Sequence, residues 1–438
     1  MKTWTRQSRL GHYMDTAAWP IPAAYLLAAV VLGIGIPRLD RALGDAVPAE
    51  FGVGAAQALL TAFATGLITV MGFLITVVIA GTTFSGTAVT PRIVREQRRN
   101  PKLHHVFGLL LFSVVYAFLV LNRVAPPGDP EYVPDLAVWL VVPLLVLDVV
   151  GLLVLVREMG HALRLIEIID KVHHRAVQVI ERMFPDELGA DGDDSPIAAV
   201  TDAPAQTIRN STSSGVVASL DIEHLVAEAE RVDTTLTLAC PIGSYRPLGA
   251  PLVHVADHRP DLDEQRVQRA VALDDERTID QDPLYALRLI VDIAARALSP
   301  AVNDPSTAVQ TLDRIEALLR LLATRNLGAG TLRDSTGHVR LMVPLPRWED
   351  YVSVSLTEIR QYGASSTQVA RRLRALLDDL IDDVPPSRRP ALEDQLALLD
   401  QAVDTQYADP AERAAAMVPD RHGLGGPTPS GGARPSAG

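Results

Sequence analysis

The stretch Phe51–Pro91, FGVGAAQALLTAFATGLITVMGFLITVVIAGTTFSGTAVTP, decides the fold: its 41 residues contain no Asp, Glu, Lys or Arg. A bilayer core about 30 Å thick is crossed by about 20 apolar residues in a helix. The run is therefore a membrane span with residues to spare. Outward from it, three more segments meet the same length rule. They are Thr16–Pro37, about Leu103–Asn122 and about Val133–Val156. Trp19 and Tyr132 stand near the ends of the first and the last, where amphipathic rings favour the interface. The chain of 438 residues is 48% hydrophobic and 21% charged. The two figures coexist because nearly all long uncharged runs lie before Val156.

Short-loop charge sets the expected orientation. Lys2, Arg6 and Arg9 precede the first span; Arg92, Arg95, Arg98, Arg99 and Lys102 face Glu96 alone between the second and third. Arg157, Arg164 and Lys171 follow the fourth. The other loops are mixed or acidic: Arg38, Asp40, Arg41, Asp45 and Glu50 in one, Arg123, Asp129, Glu131 and Asp135 in the other. The expectation is a multi-pass protein with both termini cytoplasmic. A set of 37 Arg against 3 Lys suggests a GC-rich bacterial genome, hence a bacterial cytoplasmic (inner) membrane.

Past the spans, Leu163, Ile166, Ile169, Val172, Val179, Ile180 and Met183 recur at helical spacing. They are expected to extend the four-helix transmembrane domain to residue 184. Residues 185–214, rich in Pro, Asp, Gly, Ser and Thr, read as a linker. Residues 215–410 read as a cytoplasmic α+β and helical domain. Its expected strands are Val216–Leu220, Leu236–Cys240, Leu252–Val255 and a hairpin over 331–345, with a short helix at Ile222–Arg231. Two further helices open on Asp282-Pro283 and Asp304-Pro305, an N-cap followed by proline in the first turn. A helical hairpin over Trp348–Tyr407 turns at Pro385-Pro386, and 411–438 is a disordered tail. The fold class is thus an α-helical membrane protein with four transmembrane helices, then a mixed α+β cytoplasmic domain with a C-terminal helical hairpin.

The stretch Arg277…Asp282-Pro283-Leu-Tyr-Ala-Leu-Arg288-Leu-Ile-Val-Asp292-Ile-Ala-Ala-Arg296-Ala-Leu-Ser299-Pro300-Ala-Val-Asn303-Asp304-Pro305-Ser-Thr307-Ala resembles the signature of a predicted bacterial membrane protein family, domain of unknown function 2254. The loop Phe84-Ser85-Gly-Thr-Ala-Val-Thr-Pro91-Arg92 and the segment Phe107-Gly108…Tyr116 resemble that family too. The resemblance implies the plan of four spans and a following domain. It implies no activity.

Several function classes are excluded or unsupported. A net charge of −12 argues against a general nucleic-acid binder. The single Cys240 excludes an intramolecular disulfide and a cysteine-only metal site. The turn-rich connector Pro241–Pro251 has the outline of a biotinyl-carrier hairpin, but no Lys follows Lys171. His254 and His258 lie on a strand and its exit, which does not suit metal ligation. No catalytic motif, cofactor or metal is expected.

Two sets of residues remain candidates. Within the spans, Thr61, Thr65, Thr69, Gly72, Thr76 and Thr83 fall in a sector of about 80° at 100° per residue. Such a face serves close helix packing or lines a hydrated path. Asp148 sits inside the fourth span, where a charge costs at least about 2.5 kcal/mol. It must pair, protonate or face water; a hydrogen bond to a Thr or to Tyr116 is the structural alternative to a proton- or cation-linked site. In the later domain, Arg288, Asp292 and Arg296 lie at i, i+4, i+8 and suit an ion-pair ladder or an acidic partner. Asn303 and Asp304 suit a helix corner, or a ligand or subunit contact.

The expected partners are the lipid bilayer and further copies of the chain, with the ligand or protein partner unassigned. The favoured function is an oligomeric ion channel or transporter with a cytoplasmic regulatory domain. The alternative is a membrane-anchored sensor or scaffold whose cytoplasmic domain binds a ligand or protein.

Overall fold

The computed structural model describes residues 20–43, 51–88, 101–128, 130–162, 165–188, 204–328 and 330–426. They form two compact units that divide between Leu165 and Ile166. The basic loop Arg92–Arg99 and the segment before Pro20, which carry the expected orientation, lie outside the described residues.

The N-terminal unit holds α1 (Pro20–Leu43), α2 (Val53–Ala88), α3 (Pro101–Leu121), the short α4 (Asp135–Trp139) and α5 (Val141–Ala162). Four segments are long and apolar enough to cross a membrane: Pro20–Leu43, Val53–Ala80, Lys102–Leu121 and Asp135–Arg157. The 36 residues of α2 make it longer than a span requires, at about 1.5 Å rise each. Helix α3 is the central one, and Leu110, Tyr116, Ala117 and Val120 are fully covered. It lies alongside α1 so closely that a Cβ on Gly108 would sit 2.5 Å from the Tyr25 ring, and one on Gly33 would sit 2.9 Å from Leu119. Pairing 25 with 108 and 33 with 119 makes the two helices parallel.

Two buried carboxylates tie the opposite ends. Asp40 Oδ1 accepts from Leu136 N at 3.0 Å, and Asp135 Oδ1 accepts from Phe51 N at 3.0 Å. The ends of α1 and α3 and the starts of α2 and α4 therefore meet, and successive spans alternate in direction. Two expectations are corrected. The first span does not stop at Pro37 but runs on to Leu43, because Tyr132 donates to Pro37 O at 3.0 Å and Asp40 is bound as above. The fourth span, expected from about Val133, starts at Asp135 and is interrupted at Leu140, whose backbone stays helical. Pro143, which has no N–H to offer Trp139 O, accounts for the break.

The C-terminal unit begins with α6 (Leu165–Met183). This helix, expected as an extension of the membrane domain to 184, belongs to the second unit. It buries Ile169, Val172, Ala176 and Ile180 there, and its Asp170 takes Arg314 Nε at 2.7 Å. Eight strands follow in two sheets. β1 (Gln206–Arg209), β5 (Pro251–Val255), β3 (Leu236–Leu238), β8 (Val339–Met342) and β7 (Thr331–Arg333) lie in that order; β4 (Tyr245–Arg246), β2 (Gly215–Leu220) and β6 (Val271–Asp274) make the smaller sheet. Only β3–β8 is parallel, with Leu236 opposite Leu341. Alternating apolar residues of β3 and β5 and the buried face of α7 (Ile222–Arg231) share one core, with Leu225, Leu236, Leu238 and Val253 fully or nearly covered.

A helical layer completes the unit: α8 (Glu264–Ala270) joins the sheets, then α9 (Pro283–Ala297), α10 (Pro305–Ala323), α11 (Trp348–Gly363), α12 (Thr367–Asp383), α13 (Arg389–Gln406) and α14 (Pro410–Ala416). Three boundaries are corrected. The expected hairpin over Trp348–Tyr407 is three helices, since the chain turns at Gly363 before the turn at Pro386–Arg388. The expected linker 185–214 supplies β1, whose Gln206 pairs with Val255. The tail expected from 411 contains most of α14, capped by Asp409, and Arg371 donates to Val418 O and to Gly425 O, each at 3.0 Å. That buried guanidinium needs acceptors, and the chain to 426 provides them.

Candidate functional site

Helix α5 turns one stripe inward: Val141, Leu144, Asp148 and Leu155 are buried, while Val142, Leu145, Val146, Val149, Val150 and Leu153 are exposed. Spacings of three, four and seven keep that stripe on one helix face. Among the described residues Asp148 is the one carboxylate on it, 2% exposed. It lies two residues past the middle of the span Asp135–Arg157, or about 3 Å along the helix. Its surroundings are apolar, as Leu110, Phe112, Val114, Leu144 and Leu155 share the core of the unit.

The polar side chain facing Asp148 is Ser113 of α3, itself fully buried. The Ser113 hydroxyl is within reach of the Asp148 carboxyl, but neither group makes a well-formed hydrogen bond among the described residues. Tyr116 is not the partner: its hydroxyl donates to Ala137 O at 2.9 Å and its ring stacks on Phe112. A carboxyl group in hydrocarbon without compensation costs several kcal/mol when charged. The arrangement can therefore take up a proton or a small cation, with Ser113 as a second oxygen. Ser113 was not among the sequence candidates. Its signal was available, as a lone hydroxyl between Phe112 and Val114 in an otherwise apolar turn.

The threonine face lies elsewhere. Thr61, Thr65, Thr69, Gly72 and Thr76 are all exposed on the N-terminal unit, whereas Leu60, Phe63, Ala64, Leu67 and Leu74 form the buried side of α2. The face therefore does not pack against another span of the same chain, and it does not join Asp148 in one wall. Thr69 Oγ1 donates to Thr65 O and Thr76 Oγ1 to Gly72 O, each at 3.0 Å. These hydroxyls are satisfied within the helix and present a small, shallow surface outward. The side chain of Thr83 lies outside the described residues.

In the C-terminal unit, Arg288 Nε donates to Asp292 Oδ1 at 2.6 Å, and its Nη2 reaches Glu358 Oε2 on α11 at 2.8 Å. The Arg288 guanidinium holds the Glu358 carboxyl below its ordinary range. Glu358, 70 residues on, had no signal in local spacing. Arg296 keeps Nε buried without a hydrogen-bond partner. Asp304 caps α10, accepting Thr307 N at 3.1 Å and Thr307 Oγ1 at 2.6 Å. Asn303 before it is exposed and left-handed, with φ 47°, a conformation that Asn tolerates better than most residues.

The family follows from a direct match. The sequence pattern of the family described as "Predicted membrane protein (DUF2254)" covers residues 15–379. The chain belongs to that family. It is similar to the uncharacterized protein Rv1290c of Mycobacterium tuberculosis and to the uncharacterized protein Mb1321c of Mycobacterium bovis. Each is 28% identical over 447 residues, covering 97% of this chain and 85% of the relative. No solved structure matches the chain. This family member is a membrane protein with four candidate spans, a mixed α/β region and C-terminal helices.

Proposed function

We propose that the protein works as an oligomer in the bacterial inner membrane, as a channel or transporter in which Asp148 takes up and releases a proton or a cation. Both termini and the C-terminal unit face the cytoplasm, and that unit regulates the passage. The reading rests on one observation: a carboxyl group buried mid-span, with no cationic partner among the described residues and the Ser113 hydroxyl beside it. A simple anchor gains nothing from such a group, which costs stability. The outward Thr/Gly face of α2 supports assembly, because small residues let helices approach closely in lipid. The reading needs no cofactor and assigns no catalytic residue.

Reconstitution into liposomes tests it. The wild-type chain is expected to pass H⁺, Na⁺ or K⁺, and Asp148→Asn to lower that flux at least about tenfold with insertion intact. Wild-type protein inert toward all three ions sinks the proposal.

A second reading, a membrane-anchored sensor or scaffold, is favoured by a cleft of about 360 Å³ within the C-terminal unit. Ile222, Val226, Leu327, Leu332, Val343 and Leu345 line it, and its size suits a small apolar ligand. Purified full-length protein is expected to carry a ligand detectable by mass spectrometry that Val226→Trp excludes. Equal ligand content in the two proteins eliminates this reading.

A further inference from the structure

A cavity of about 330 Å³ opens where α1 and α3 end, lined by Pro37, Arg38, Arg41, Arg123, Pro126 and Tyr132. It draws its three guanidinium groups from two separate stretches of chain, Arg38 and Arg41 on the last turns of α1 and Arg123 two residues past α3. Arginines at span ends commonly extend toward water one by one. Here they converge on one hollow, and Arg123 is half-buried against it.

No carboxylate lines the hollow among the described residues. Asp40 is buried, with its oxygens on Leu136 N and the Tyr132 hydroxyl. Arg41 lies over the Tyr132 ring, 4.3 Å from its centroid, which fixes the guanidinium beside the hollow. Burial, then the Asp40 carboxylate, push Tyr132 up to about 12, so it stays neutral and adds no negative charge to the hollow. Arginine forks match the oxygens of a phosphate better than any other side chain does. The depth agrees, since the uncharged stretches of α1 and α3 end at Pro37 and Asn122, directly before Arg38 and Arg123, at the level of lipid headgroups.

We infer that this pocket binds a phosphate group, presented by the headgroup of an acidic phospholipid at the end of the bundle opposite the start of α1. The proposal is independent of Asp148 and of any flux.

Native mass spectrometry of the full-length protein in detergent tests it, with phosphatidylglycerol, phosphatidylcholine and inorganic phosphate as separate probes. Wild-type protein is expected to keep one phosphatidylglycerol per chain through delipidation and no phosphatidylcholine. The triple variant Arg38→Gln/Arg41→Gln/Arg123→Gln is expected to lose that lipid, with affinity down at least about tenfold. Retention of inorganic phosphate that displaces the lipid and also disappears in the triple variant assigns the same chemistry to free phosphate. If the triple variant does not insert, Arg123→Gln alone is expected to weaken binding and Arg123→Lys to restore part of it. Lipid and phosphate retention unchanged by these substitutions overturns the inference.

Discussion

Arg277 Nε donates to Asp282 Oδ2 at 2.7 Å while Asp282 Oδ1 caps α9 by accepting Tyr285 N at 3.0 Å. One carboxylate, 4% exposed, thus fixes both the loop before the helix and the helix start. The guanidinium also lies over the Tyr285 ring, 5.4 Å from its centroid. The chemistry at this corner is therefore architectural: arginine, cap and aromatic ring lock together.

Asp282→Ala removes the cap and leaves Arg277 without its carboxylate. Breaking a buried pair costs about 3–5 kcal/mol, and the lost cap about 1 kcal/mol of the same order. The C-terminal unit is expected to melt well below the wild type. Circular dichroism melts of purified full-length protein check this, and a shift under 2 °C would contradict the role.

The β7–β8 hairpin carries an acid-sensitive lock. Thr336 Oγ1 donates to Asp334 Oδ1 at 2.6 Å and Arg340 Nε to Asp334 Oδ2 at 2.6 Å. The Thr336 hydroxyl first, then the Arg340 guanidinium, hold the Asp334 carboxyl well below the usual carboxylate range. A depressed value means that the folded state binds this proton less readily than the unfolded chain. The stability it contributes is complete above the unfolded value of about 4 and is lost as pH falls below that. Wild-type melting temperature is expected to drop more steeply between pH 5 and pH 3 than that of Asp334→Asn. Parallel pH profiles would remove the lock from the account.

The spans were legible because hydrocarbon imposes a single rule of length and polarity, and Phe51–Pro91 meets it without exception. Caps were legible for the same kind of reason: Asp282-Pro283 and Asp304-Pro305 are local codes, and α9 and α10 start there. Partners distant in sequence were not. Glu358 beside Arg288, Ser113 beside Asp148 and the carbonyls of Val418 and Gly425 around Arg371 depend on tertiary approach. Strand β1 was hidden because only Ile208 of its four residues is fully buried, so alternation is too short to see. Which way the threonine stripe points is likewise a packing outcome: Leu60, Ala64 and Leu67 win the inner face of α2.

Asp148 offers a test that separates stability from function. A buried carboxyl without a cationic partner costs stability, which an apolar group of similar size does not. Asp148→Leu is expected to raise the melting temperature in detergent while abolishing flux. Ser113→Ala is expected to leave stability within about 1 kcal/mol, since its contact with the Asp148 carboxyl falls short of a well-formed hydrogen bond. A destabilised Asp148→Leu protein would show that the carboxyl group is structurally engaged.

The α1–α3 contact is tight enough to be broken by one methyl group. A Cβ on Gly108 would fall 2.5 Å from Tyr25 Cδ2 and 3.0 Å from its Cγ. The ring has little room to retreat, because its hydroxyl meets His105 Nδ1 at 3.4 Å and the His105 ring stands edge-on at 6.0 Å. Gly108→Ala is therefore expected to cost about 1–3 kcal/mol by overpacking. Removing the obstructing ring should relieve the clash, so Gly108→Ala in a Tyr25→Ala background is expected to cost much less than in the wild type. Thermal unfolding of the four proteins in one detergent, followed by tryptophan fluorescence, completes the cycle. Equal costs in the two backgrounds would mean that Gly108 does not act through Tyr25, and the parallel pairing of α1 with α3 would lose its closest contact.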